Sequence, residues 1–203
     1  MFVVGLSGSL KTGKSTVAAM FVELGAFVVD ADKIAHQEMT PQGSCYRPIV
    51  KVFGQKILNE DGMIDRKKLS GIVFKDRAQL NKLMKIIHPA VKKEIRKVVQ
   101  SLRGKQGILV LDVPLLFESG LHKEVDVSVV VKAHRQKQIT RAVRQLKISK
   151  VQAGNRIKAQ MPLKAKIRLA NFIIDNNGTI NQTRKQVVQI WDELSQKTQK
   201  KRK

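Results

Sequence analysis

Gly8-Ser-Leu-Lys-Thr-Gly-Lys-Ser15 is the stretch of this 203-residue chain whose residue types and spacing most directly specify a chemistry. Glycines let the backbone curl so that successive N–H groups point inward at an anion, and the start of a following helix adds its partial positive charge. Lys14 then reaches the outer phosphates of a nucleotide, and the Ser15 hydroxyl suits Mg²⁺. An apolar segment, Phe2–Leu6, precedes the loop, and a helical pattern, STVAAMFVEL, follows it. That context turns a short pattern into a strong prediction of a phosphate-binding loop (P-loop). Lys11, Thr12, Gly13, Lys14, Ser15 and Thr16 are expected around the phosphates of ATP. Lys11 is bulkier than the residues common in such loops; it either adds a cation beside the phosphates or faces water.

Carboxylates follow. The second apolar run ends in Asp30-Ala31-Asp32, and ligands of parallel α/β sheets sit beyond the carboxyl ends of the strands. On an extended segment these two side chains point the same way, so one is placed to take a proton from an attacking hydroxyl while the other positions a helix or ligand. Asp30 reads equally well as the cap of a helix starting near Lys33; Asp32 is the preferred chemical residue. Asp112 ends the third apolar run and is the second expected Mg²⁺ residue beside Ser15. His88 precedes Pro89, which predicts extended geometry and a helix end at that point, with His88 either a structural cap or a substrate contact. His36, His122 and His134 have no metal-ligand spacing, and no nucleophilic Ser-His-Asp arrangement can be built.

Five short apolar runs must position these residues: Phe2–Leu6, Ala26–Val29, Ile108–Leu111, Val127–Val131 and Phe172–Ile174. Runs without alternation read as strands buried on both faces of a parallel sheet. Helical patterns lie between them, at Lys14–Leu24, roughly Ala78–Leu102, roughly Gln136–Leu146, Lys150–Gln160, and about Thr179 through Trp191. Strand–helix alternation behind a glycine-rich first turn predicts a doubly wound α/β fold. The interval from about 33 to 105 is far longer than one crossover needs. With turn signals at Thr40–Gly43 and Glu60–Gly62, it reads as a small helical insertion. A second stretch, roughly 136–168, is dense in Arg and Lys and reads as two short projecting helices.

Bulk properties narrow the classes. Apolar residues make up 42% of the chain, enough for a globular core. No stretch approaches the ~20 apolar residues needed to cross a bilayer, and Phe2–Leu6 lacks the architecture of a signal peptide, so no membrane partner is expected. The single Cys45 cannot make an internal disulfide, which fits a reducing compartment; a cytoplasmic location is expected. The formal charge of +23 attracts polyanions, and its densest run, Lys197–Lys203, reads as a solvated tail.

Nearly the whole chain resembles the bacterial dephospho-coenzyme A kinases. The likeness rests on GLSGSLKTGKSTVAAMF, LGAFVVDADKIAHQ, FGQKILNEDGMIDRKKL, Val73–Phe74, His88–Pro89, VPLLFESGL at Val113–Leu121, Gln138–Arg141 and IIDNNG at Ile173–Gly178. These segments occur in family order. The resemblance implies an α/β, P-loop NTPase-type parallel sheet flanked by helices, with a helical substrate-binding insertion and a helical lid. It divides the chain into a nucleotide-binding core (1–35, 104–135 and 169–203), an insertion that receives the CoA substrate (36–103) and a lid (136–168). It implies transfer of the γ-phosphoryl group of ATP to the ribose 3′-hydroxyl of dephospho-CoA, with Asp32 as base, Lys14 and Ser15 on phosphate and Mg²⁺, and Arg141, on the family's Gln-x-x-Arg pattern, closing over the phosphates. The chain departs from the family at Gln145-Leu146, where Arg-Asp is common, at Asn171, which replaces an aspartate, and at Ser9 and Lys11, which replace glycines. Arg144, three residues from Arg141, is a candidate shifted substitute.

Two other readings fit parts of the chain. One is a different small P-loop kinase acting on a nucleoside, nucleotide or small alcohol. The other is an ATP-dependent nucleic-acid-binding protein, suggested by charge. Aromatics are only 4% and the basic residues are scattered, so no specific nucleic-acid partner is expected, although the charge is compatible with nonspecific polyanion binding.

Overall fold

The strands form because β-branched and aliphatic residues recur in short uninterrupted runs, and the sheet they build is wholly parallel. In the computed structural model, which describes residues 1–102 and 104–200, the strands are β1 (Phe2–Gly8), β2 (Phe27–Asp30), β3 (Ile108–Asp112), β4 (Val127–Lys132) and β5 (Phe172–Asp175). Arg103 and 201–203, and with them the end of the basic tail, lie outside the described residues. The sheet order is β2-β3-β1-β4-β5. The chain divides into two compact units, Met1–Asp30 with Leu102–Lys203, and Ala31–Ser101.

In the first unit β1 is central and completely buried. Its register puts Leu6 beside Asp112 on one side and Gly8 beside Val131 on the other. One face of the sheet, Phe2, Val4, Leu6, Ile108, Val110, Val129 and Val131, packs against α1 (Lys14–Glu23) and α9 (Ile180–Lys200) through Val17, Phe21, Val187, Ile190 and Leu194. Against the opposite face, Gly5 lies so close to Leu116 that a Cβ there would fall 2.7 Å from its Cδ2. The edge strands differ from the expectation of burial on both faces: Phe27 of β2 is 50% exposed and Ile173 of β5 42%. A strand at a sheet edge has one neighbour fewer, so less of its surface is covered. Three further helices, α6 (Arg135–Leu146), α7 (Lys150–Lys158) and α8 (Leu163–Leu169), connect β4 to β5. The expected stretch contains three helices rather than two; the seven residues of α8 are too few to show a period in sequence. Ser149 and Gln152 form a reciprocal capping box at the start of α7. Asn171, in place of an aspartate, still accepts from the backbone N–H and hydroxyl of Ser128 at 2.8 and 3.0 Å, tying β5 to β4.

The second unit is helical: α2 (Ala31–Glu38), α3 (Tyr46–Phe53), α4 (Arg66–Val73) and α5 (Arg77–Ser101). Asp65 starts α4 by accepting from Lys67 N and Lys68 N at 2.8 and 3.1 Å, which holds its carboxyl below the usual carboxylate range, the Lys68 hydrogen bond being the main cause. Both expected turns are present, with Gly43 N donating to Thr40 O and Gly62 N to Asn59 O. Cys45 is buried, its thiol 3.6 Å from Ile86 O, and burial pushes the thiol up.

Pro89 does not end a helix. Helix α5 runs through it for 25 residues, so His88 is helical rather than extended. A proline inside a helix costs about 3 kcal/mol through its missing N–H and a clash with the carbonyl four residues back. Pro89 and Lys85, whose carbonyl loses its helical donor, are both exposed. Leu83, Ile87, Val91 and Ile95 continue the buried stripe across the break. Each contributes about 1.5–3 kcal/mol when buried, and their sum outweighs the proline. Among the described residues no helix is long and apolar enough to cross a membrane.

Candidate active site

The loop between β1 and α1 is built as a cradle. Thr12 is fully buried and its hydroxyl donates to Ser9 O at 3.1 Å, folding the loop back on itself. Gly13 adopts φ 98°, a conformation open to glycine at little cost, and starts α1. The first amides of α1 have no acceptor within the helix and carry its positive end, as anion binding requires. Ser15 and Thr16 are exposed in this first turn. Lys11 is half-buried with φ 54°, in the left-handed region, although it is not a glycine.

Lys14 is ion-paired with Asp112, their side chains 13% and 7% exposed. Asp112 lies at the end of β3, in register with Leu6 on one side and Asp30, the last residue of β2, on the other. The two strand-end acids Asp30 and Asp112 therefore flank one another beside the loop. Among the described residues no three His, Cys, Asp or Glu side chains cluster as a metal site. A hydroxyl from Ser15 and a carboxylate from Asp112 nonetheless suit Mg²⁺, which takes one or two protein oxygens and completes its shell with phosphate and water.

Three segments between β3 and the chain end converge on the loop. From α6, Arg141 donates through Nη1 to the carbonyls of Lys11 and Thr12, both at 3.4 Å. The buried Gln138 steadies that helix by donating to Ala133 O at 2.9 Å. Arg144, on the same helix, is exposed. Beyond α7, Gln160 accepts from the Ser9 hydroxyl and Leu10 N–H at 3.1 and 3.2 Å. After β5, Asn176 donates to Thr12 O at 2.8 Å and accepts from Thr183 at 2.9 Å. A Cβ on Gly13 would lie 1.9 Å from Asn176 Nδ2, so this asparagine demands the glycine.

Beneath the loop, the fully buried Lys166 of α8 donates to Gly8 O at 3.3 Å and Pro114 O at 2.7 Å and pairs with Glu118 at 2.9 Å. Burial lowers the pKa of its ammonium, partly offset by Glu118.

The other expected residues belong to the helical unit. Asp32 is exposed in the first turn of α2, and His88 is half-buried in α5. Helix α2 begins at Ala31 rather than near Lys33, so Asp30 and Asp32 do not share one extended segment. Alanine is the strongest helix former, and a carboxylate in a first helical turn is favoured by the dipole.

Gln160, Lys166 and Asn176 were not singled out by residue type. Asn176 carried a signal, lying in the IIDNNG segment just past a buried strand. Lys166 carried none, because LKAKIRL reads as an ordinary basic helix face.

A family profile described as CoaE, dephospho-CoA kinase, matches residues 2–182. A dephospho-CoA kinase of Carboxydothermus hydrogenoformans is 43% identical over 202 residues, covering 96% of this chain and 98% of that protein. Among solved structures, a Thermus thermophilus protein superposes with a TM-score of 0.78 at 26% identity, covering 95% of this chain and 97% of that one. The dephospho-CoA kinase of Campylobacter jejuni gives 0.69 at 28%, covering 96% and 97%. With a glycine-started loop held by Arg141, Gln160 and Asn176, and a match running through nearly its full length, the chain belongs to the dephospho-CoA kinase family.

Proposed function

We propose that the chain transfers the γ-phosphoryl group of ATP to the ribose 3′-hydroxyl of dephospho-CoA, the closing step of coenzyme A synthesis, with Mg²⁺. The observation that carries the reading is the loop itself: a glycine-started helix with Lys14 beside a strand-end carboxylate, in a chain of this family.

Phosphoryl transfer asks a protein mainly for position and positive charge, since negative charge spreads over the transferring oxygens. Amides of Lys11–Thr16 hold the phosphates, and Lys14 exchanges Asp112 for a phosphate oxygen. Ser15 and Asp112 are the residues that would hold Mg²⁺, which would supply positive charge beside the phosphates. Arg141 supplies a further cation from α6. Asp32 accepts the proton of the attacking hydroxyl; the chain ties it within two residues of Asp30, the register partner of Asp112. His88 contacts the acceptor substrate. In this reading 1–35, 104–135 and 169–203 form the nucleotide-binding core, 36–103 receives dephospho-CoA, and 136–168 is the lid. The lone cysteine suits a cytoplasmic setting, and the +23 charge confers only salt-sensitive, nonspecific polyanion binding.

A coupled assay of ADP release tests the reading. Turnover is expected with dephospho-CoA, and not with adenosine, CMP, shikimate or single-stranded DNA. Robust turnover with one of those four and none with dephospho-CoA would refute it.

A further inference from the structure

The base of the phosphate loop contains a charge that the reaction does not use. Lys166 is 0% exposed, and its ammonium has three donors and three acceptors: Gly8 O at 3.3 Å, Pro114 O at 2.7 Å and Glu118 Oε1 at 2.9 Å. The same Glu118 oxygen accepts from Met161 N at 2.9 Å, while Oε2 is buried with no hydrogen-bond donor. Ser7 donates to Pro114 O at 3.1 Å from the neighbouring strand end.

A buried ion pair is a weak source of stability, because desolvating both charges offsets most of their attraction. Its placement is therefore more informative than its strength. Gly8 is the last residue of β1 and the first of the loop. In a planar trans peptide the carbonyl of Gly8 and the N–H of Ser9 point in opposite directions. Lys166 is interior, so a Gly8 oxygen drawn to it leaves the Ser9 N–H directed away from it. Rotated the other way, this peptide would aim a carbonyl dipole at a bound anion. Resting on the phosphate-transfer reading above, we propose that Lys166 is a positioning residue for the phosphate loop: held by Glu118, it pins the Gly8 carbonyl inward, so that the Gly8–Ser9 peptide offers its N–H and not its oxygen to the nucleotide phosphates.

K166M alone strands a buried carboxylate and risks unfolding. The informative variant is K166M/E118Q, which removes both charges and keeps an acceptor for Met161 N. Its thermal midpoint without nucleotide is measured first. Calorimetric titration with ADP and AMP then separates the phosphates that the loop holds from the rest of the nucleotide. The expected result is a folded variant with ADP affinity reduced about tenfold and AMP affinity changed by less than about twofold. A folded variant whose ADP affinity matches the wild type, or whose AMP affinity falls equally, overturns the proposal. K166R keeps the charge and the donors and covers a double variant that fails to fold. It is expected to retain the preference for ADP over AMP within about threefold, and a folded K166R without that preference overturns the proposal. Failure of the functional reading is a separate result, namely a wild-type protein that binds ADP but does not turn over dephospho-CoA.

Discussion

Lys14 and Asp112, 98 residues apart in the chain, meet as an ion pair where the loop after β1 faces the end of β3. Each supplies a charge opposite to the other's in a largely buried place, and the proposed reaction gives each a separate role. Lys14→Met is therefore expected to lower stability by about 3 kcal/mol, because it removes the cation that sits against a buried carboxylate. K14M/D112N should recover most of that loss. Both variants should lose at least about 100-fold in kcat. Urea unfolding and the coupled assay, run on the same preparations, check the two halves; a K14M/D112N protein no more stable than K14M would show that the pair is not coupled.

Asp32→Asn tests the proposed proton acceptor. An amide cannot take the hydroxyl proton but has nearly the shape of the carboxylate. The expected outcome is a fall in kcat of about 10²–10⁴-fold with ATP affinity unchanged by titration. Loss of ATP binding would instead assign Asp32 a structural role.

The contact between Asn176 and Gly13 predicts two related defects. Gly13→Ala places a methyl where Asn176 Nδ2 now lies and forces a non-glycine residue to φ 98°. Asn176→Ala leaves Thr12 O without its 2.8 Å donor, at a cost of about 1–3 kcal/mol. Both should raise the KM for ATP more than the KM for the acceptor. Equal effects on the two substrates would mean that the contact supports the fold and not the cradle.

The legibility of the chain divided along physical lines. All five strands could be located: β1, β3 and β4 are buried almost throughout and mostly apolar, and the more exposed edge strands β2 and β5 still carry short apolar runs. The phosphate loop could be read because it needs particular residues at fixed spacing. Helices α3 and α4 span eight residues each, too few for a clear period, and Pro89 misled because a local backbone preference was overridden by the Leu83–Ile95 stripe. Lys166 was illegible for a different reason. A buried lysine is made acceptable by Glu118, Gly8 and Pro114, which are remote in sequence, and nothing local marks it.

Asp65 gives the helical unit a pH dependence of known sign. Its folded-state pKa lies below the unfolded value, chiefly through the Lys68 N–H. Its contribution is thus complete above the ordinary carboxylate range and is lost as pH falls from about 4 through the lowered value. Thermal midpoints measured at neutral pH and near pH 3 should show a smaller acid-induced drop in Asp65→Ala than in the wild type. An equal drop in both would remove Asp65 from the acid response.

Cys45 makes the protein its own reporter. It is the only thiol in the chain, it is enclosed in the helical unit, and burial disfavours its thiolate. A thiol reagent added to the native protein must therefore wait for the helices around Cys45 to open, and the rate of labelling counts those openings. Without any engineered label, alkylation followed by mass spectrometry can report how often Ala31–Ser101 opens in isolation, and whether dephospho-CoA closes it.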